Sequence, residues 1–375
     1  MKMRQGKKRN KKMCITIVGI LTLLIITACV IIPPGGGKTK PFCDEGGNVI
    51  EGSISEKIFV EINGISLGMF IKAKDNSKPL LLFLGGGPGI PTYFLESRYP
   101  TGLEDEFVVC YPEYRGTSLS YSNDVARETM STKQYVSDVV EVTRYLLNRF
   151  GQKKAYLLGH SFGTYIGLLT AEQYPEMFYA YIAMSQDTNQ YISEIIAYDY
   201  MLEQYQAADN TKMVDKFAEY QIKTSEEAYN SYFCSSLRDT AMHDLGVGTM
   251  RDMNSVITGI FLPSLRCSAY TPAERINIWR GKSFAQDTDV VADSRSFNAF
   301  ETIPEIKIPI YIFAGIYDYT CCYSLQKEYY EKIEAPVKGF YSFYNSAHSP
   351  LFEEPEKALE IFVTDIISGA TTMAD

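Results

Sequence analysis

The chain has 375 residues, 46 % hydrophobic and 13 % aromatic, which is enough for one large core or two modest ones and too apolar for a disordered polymer. Its formal net charge is −9, although seven of its 36 Lys and Arg residues crowd into the first twelve positions. The remainder is therefore more acidic than the whole and repels a phosphate backbone, which excludes a nucleic-acid partner.

Residues 1–32 read as a targeting segment. A basic start leads into an uncharged, mostly apolar run from Met13 to Ile32, followed by Pro33-Pro34-Gly35-Gly36-Gly37. Twenty helical residues rise about 30 Å, the thickness of a bilayer's hydrocarbon core, so an N-terminal transmembrane helix over 13–32 is expected. Its basic flank should stay cytoplasmic and the body should lie outside. Ile26-Thr27-Ala28-Cys29 also resembles a bacterial lipobox, which would lipidate Cys29. Either route tethers the body to the cell membrane, single-pass or lipid-anchored. Residues 33–52 are rich in Pro and Gly and read as a linker.

From residue 54 a rhythm of strands and helices begins. "KIFVEINGISLGMFIKA" is two runs joined by Asn63-Gly64, a dipeptide that favours the positive φ angles of a tight hairpin. "PLLLFLGGGPG" and "FVVCYPEYRG" are apolar strands that end in loops. Tyr135, Val139, Val142, Leu146 and Phe150 recur at helical spacing over 133–150, with Gly151 as the stop. "KAYLLGH" is a buried strand, 162–174 a helix, and "YAYIAMS" another strand. Residues 187–300 then hold amphipathic helical stretches with few strand signals. The alternation resumes with "PIYIFAGIYD", a helix near 321–333, the strand "VKGFYSFYN" and a last helix near 355–368. Strands buried on both faces and alternating with helices predict a mostly parallel α/β sheet, with ligands beyond the carboxyl ends of its strands.

The chemistry sits at those ends. Gly159-His160-Ser161-Phe162-Gly163 places a serine between two glycines at a strand-to-helix turn. Such a turn is so tight that only glycines fit two residues to either side, and it thrusts the hydroxyl into the open. A serine hydroxyl is a weak nucleophile and needs a base, a group to hold that base, and donors for the oxyanion. Of the three histidines, His160 is inside the elbow and His243 lies off any strand end. His348, in the loop after the last strand, is the expected base. Asp318, at the end of "PIYIFAGIYD", falls between nucleophile and base in chain order and is the expected acid, with Asp187 as its rival and a helix cap as its alternative role. The oxyanion donors are expected to be the backbone N–H groups of Phe162, at the positive end of its helix, and of Gly87 in "GGGPG".

These residues resemble a known group. From about 54 to 370 the chain is similar to the α/β-hydrolase fold, and within it to the proline iminopeptidase-like branch. "GGGPG" stands against that branch's HGGPG, "YPEYRGTSLS" against DQRGxGxS, "GHSFG" against GHSWG, and "IYDYT…SAHSP" supplies acid and base. The resemblance implies an eight-stranded sheet with a helical cap. Residues 53–186 and 301–375 would form the core and 187–300 the cap. It also implies that Gly86, Glu113 and Arg115 support the site. Gly85 stands in place of the first histidine of HGGPG, and Tyr114 in place of the glutamine of DQRG. The cap pattern that would hold a substrate's ammonium is not recognisable, and Asp199, Glu203, Asp239, Asp244 and Asp252 are equal candidates.

The expected function is a membrane-tethered serine hydrolase acting on a small peptide or ester through an acyl-enzyme. An aminopeptidase for N-terminal proline or other small residues is the first reading. An esterase or amidase with an apolar pocket is the alternative, and a non-catalytic binding protein on the same fold a third. No cofactor is expected, and no Cys/His grouping has metal-ligand spacing. Cys234 and Cys267 could pair in an oxidising compartment, and the adjacent Cys321 and Cys322 read as packing residues.

Overall fold

The computed structural model describes residues 30–375. Eight strands form one sheet in the order β1-β2-β4-β3-β5-β6-β7-β8, with β1 Ile54–Ile62, β2 Ile65–Ala73, β3 Leu80–Leu84, β4 Val108–Pro112, β5 Ala155–His160, β6 Phe178–Met184, β7 Ile310–Gly315 and β8 Lys338–Phe343. The first two pair antiparallel through Asn63 and Gly64, both at positive φ, and β2 runs antiparallel to β4. The pairs from β4 to β8 are all parallel. All residues of β3, β4, β5 and β7 are buried, as expected of strands covered on both faces.

One apolar layer packs the helices Thr132–Phe150 and Phe162–Gln173 against the sheet, and the other packs Thr92–Arg98 and Pro355–Ile361. The helix Thr132–Phe150 starts with Ser131 accepting from Gln134 N and stops at Gly151, whose φ is 62°. Between β6 and β7 the chain leaves the sheet for a helical cap, from Gln190–Ala207 to Ala299–Thr302. The cap has its own aromatic core, including Tyr198, Tyr205, Phe217 and Tyr232, against which Tyr317 and Tyr319 of the core domain pack.

The N-terminal expectation is corrected. The span predicted over 13–32, like Cys29, lies outside the described residues except at Val30–Ile32. Among the described residues no helix is long and apolar enough to cross a membrane. The longest, Thr132–Phe150, carries Lys133, Asp138, Glu141, Arg144 and Arg149 and buries one face only. Membrane attachment, the membrane as a partner and the extracytoplasmic location are therefore set aside.

Part of the expected linker is tied down on the cap. The Arg275 guanidinium donates to the carbonyls of Pro33 at 2.6 Å and Gly35 at 3.0 Å, and Gly37 N donates to Ser268 O at 2.9 Å. The six described cysteines are all free thiols, so Cys234 and Cys267 are not paired; Cys321 and Cys322 are buried.

Candidate active site

The elbow is built by sterics. A Cβ at Gly159 would lie 2.5 Å from the carbonyl oxygen of Gly163, and one at Gly163 would run into the carbonyl of Leu84 on β3. Between them Ser161 holds φ 54° and ψ −123°, a conformation rare for a residue with a side chain. Its N–H is held by Met184 O at 3.1 Å, and its carbonyl accepts from Thr164 N at 2.7 Å and Thr164 Oγ1 at 2.6 Å. Its hydroxyl does not cap the helix that follows. The backbone is thus fixed and the side chain left for other work.

The histidine comes from the loop after β8. His348 Nδ1–H donates to Asp318, 3.0 Å from Oδ2 and 3.1 Å from Oδ1, which leaves Nε2 as the basic nitrogen. Asp318 is fully buried and its acceptor sites are filled, by Thr320 N and Cys321 N at 2.9 Å and by Gln326 Nε2 at 3.1 Å. The backbone of His348 is pinned from all sides. Its carbonyl accepts from His160 Nε2 at 2.9 Å and Ser185 Oγ at 3.0 Å, and its N–H donates to Gly248 O at 3.3 Å. Glu353 Oε1 accepts from both flanking amides, Ala347 N at 3.0 Å and Ser349 N at 3.2 Å. Its other oxygen accepts from Arg251 N of the cap at 2.6 Å, and burial pushes this carboxyl up to about 7.

The other two histidines have different work. Burial first, then the neighbouring His348, hold His160 down at about 3, so it stays a neutral donor to the His348 carbonyl. His243 Nδ1–H donates to Asp239 O at 2.7 Å within a cap helix.

The glycine loop approaches the serine closely. A Cβ at Gly86 would lie 3.1 Å from Ser161 Cβ, and Gly87 and Gly89 hold φ 111° and 92°. Among the described residues the N–H groups of Gly86, Gly87 and Phe162 donate to no protein acceptor. Tyr114 Oη donates to Gly85 O at 3.0 Å and so steadies the loop. Glu113 and Arg115 stand behind the site. Glu113, raised to about 7 by burial, accepts from Leu119 N at 2.7 Å and from Tyr270 Oη of the cap at 2.5 Å. Arg115 makes a two-pronged pair with Asp138 at 2.8 Å and donates to Asn63 O in the hairpin turn at 3.2 Å.

The five candidate cap acids are occupied or exposed. Asp199 pairs with Lys223, Asp244 accepts from Tyr205 Oη, Asp239 lies beside His243, and Glu203 and Asp252 face solvent. Sequence reasoning missed Glu353 as the clamp on the His348 loop. It also missed the buried cap pair of Glu194 with Arg238. It weighed Asp187 only as a rival acid. Asp187 is 6 % exposed, pushed up to about 7 by burial and drawn down by the charge of His348, and its Oδ1 has no partner. A cavity of about 760 Å³, bordered by Lys72, Glu96, Glu104 and Arg266, touches none of Ser161, Asp318 and His348.

Comparison with known proteins agrees with this architecture. Over 290 residues the chain is 31 % identical to the Bacillus subtilis (strain 168) protein named "Probable aminopeptidase YbaC", spanning 76 % of this chain and 88 % of that one. The proline iminopeptidase of Mycobacterium smegmatis superposes with a TM-score of 0.60 at 15 % identity, over 84 % of this chain and 98 % of its own. A mutant epoxide hydrolase from Bacillus megaterium superposes at 0.51 with 18 % identity, over 82 % of this chain and 99 % of its own. At such identities structural likeness shows the fold alone, and this fold carries more than one chemistry. The family described as alpha/beta hydrolase fold matches residues 79–355. The chain belongs to the alpha/beta hydrolase fold family, as an enzyme of serine-hydrolase type.

Proposed function

We propose that this protein is a serine aminopeptidase that releases N-terminal proline or another small residue. One observation carries the reading: the His348–Asp318 pair, 3.0 Å apart, on the same sheet rim as an elbow serine whose hydroxyl has no structural duty. The Bacillus relative named a probable aminopeptidase supports the substrate class.

Ser161 Oγ attacks the acyl carbonyl and its proton passes to His348 Nε2, while Asp318 stabilises the imidazolium. The N–H groups of Phe162 and Gly87 receive the oxyanion, with Gly86 allowing the close approach. His348 returns the proton to the leaving amine, and an acyl-enzyme remains. The same base then activates a water that releases the acid and restores Ser161. Each step uses only side chains, backbone and water.

An esterase or amidase is the second reading, favoured by the occupied or exposed state of the five candidate cap acids. A matched panel separates the two: proline and alanine anilides, their N-acetyl forms and short nitrophenyl esters, with Ser161→Ala as control. Turnover of free-amine anilides alone fits the aminopeptidase. Turnover of esters alone leaves a triad without peptidase specificity. Failure of the folded chain to react with a fluorophosphonate would overturn both.

A further inference from the structure

The cavity of about 760 Å³ that stands apart from Ser161, Asp318 and His348 has the size of a small-molecule site. Four parts of the chain wall it: residues 38–40 beyond the segment held on the cap, strand β2, the helix Thr92–Arg98 with the turn after it, and cap residues 258–269.

Its charge sets it apart. The chain carries a net −9, yet Lys38, Lys40, Lys72, Arg98 and Arg266 all border this one cavity. Among the described residues none of the five pairs with a carboxylate. Lys72 is the buried one, at 7 % exposure. An ammonium offers three N–H donors. Lys72 gives two of them, to Lys40 O at 3.0 Å and Ser55 Oγ at 3.1 Å, and the face of Phe42 lies 4.0 Å away. All three partners are neutral. The two acids of the cavity do not answer it by contact. The Glu96 carboxyl is spent on Thr101 N and Thr101 Oγ1, both at 2.8 Å, and Glu104 faces Tyr111 Oη at 3.5 Å. Both reach Lys72 through the field alone.

A buried cation without a touching counter-charge favours an anion that brings one, and the four exposed cations around it raise the local concentration of anions. The remaining walls include Tyr93, Phe94, Leu262 and Pro263, which a bare inorganic ion would leave uncovered. The fitting ligand has an anionic head and an apolar body.

We propose that this cavity binds a small organic anion, with its carboxylate or phosphate head at Lys72 and its apolar body between the helix Thr92–Arg98 and the cap. The site is separate from the proposed catalytic one and does not depend on the aminopeptidase reading. Its occupant bridges the cap to the helix that follows the glycine loop.

The test titrates the full chain calorimetrically with phenylalkanoates of graded chain length, their neutral amides, phenyl phosphate and inorganic phosphate. Cys267, a half-buried thiol of the same cavity 3.5 Å from Ser97 Oγ, reports the place. Its alkylation by iodoacetamide is followed by peptide mass, with the exposed Cys43 and Cys234 as references. At least one organic anion should bind saturably, about tenfold or more tighter than the amides, and slow labelling of Cys267 alone. A phenylalkanoate that outbinds phenyl phosphate names the head as a carboxylate, and the reverse names it as a phosphate. Lys72→Met should weaken binding about tenfold or more, and Arg266→Glu several-fold. No saturable binding by any organic anion overturns the proposal. Amides that bind as tightly as the acids overturn the role of the cations, and inorganic phosphate that binds as tightly as phenyl phosphate overturns the role of the apolar walls. Binding that both variants leave unchanged places the ligand elsewhere and also overturns it. If Lys72→Met does not fold, Arg266→Glu decides: unchanged affinity refutes the site and a selective loss supports it.

Discussion

Ser161 is the residue at which local geometry says most. Its backbone strain, of order 1–3 kcal/mol, persists because Met184 and Thr164 hold both ends of the residue. Gly163 is the harder constraint, since its missing Cβ is the space occupied by the Leu84 carbonyl. Gly163→Ala should destabilise the fold by about 1–3 kcal/mol, as overpacked sites do, and slow fluorophosphonate labelling at Ser161 at least tenfold. A melting curve and a labelling time course check both, and an alanine variant labelling at the wild-type rate would refute the steric account. Such constraints are readable in a sequence because they act between near neighbours. Asp318 and His348 were readable through chain order. The clamp of Glu353 was not, because a carboxylate held on backbone amides leaves no residue pattern.

At the scale of elements, the segment 246–251 joins the cap to both loops of the proposed triad. Tyr319 N donates to Val247 O, His348 N donates to Gly248 O, Arg251 N donates to Glu353, and the Arg251 guanidinium lies 3.5 Å over the Tyr317 ring. Glu353→Gln keeps the size but turns an amide N–H₂ toward a donor. It should lower kcat about tenfold with KM little changed, because geometry of the base and not substrate affinity is lost. Steady-state kinetics measure the split, and a pure KM effect would contradict the clamp. The strands were legible as apolar runs. The helix Thr92–Arg98 was not. It follows Pro91 with no side-chain cap and is held by tertiary contact, Tyr93 stacking on Phe70 at 4.0 Å. The contacts of the expected linker were not legible for a related reason, since the hold of Arg275 on Pro33 and Gly35 spans some 240 positions of chain.

Over the whole molecule, buried carboxyls set the pH response. Burial raises Glu113 and Glu353 from 4.5 to about 7, and raises Glu96 beside Glu104 as well. Between those values the folded chain keeps protons that the unfolded chain has released. Stability therefore falls as pH rises from about 4.5 toward 7, opposite in sign to a salt-bridged carboxylate. The melting temperature should be higher at pH 5.5 than at pH 8, and Glu113→Gln should narrow the gap. A rise in melting temperature over that interval would contradict the buried, protonated state of these groups.

The segment 246–251 also bears on how such proteins can be rebuilt. A cap that only covered a site could be exchanged for another like a tool head on a common handle. Here the cap carries part of the fastening for the loops of the proposed acid and base, so a transplanted cap must bring its own equivalent of residues 247–251. Chimeras joined outside that stretch inherit a specificity, whereas those joined inside it inherit a broken engine.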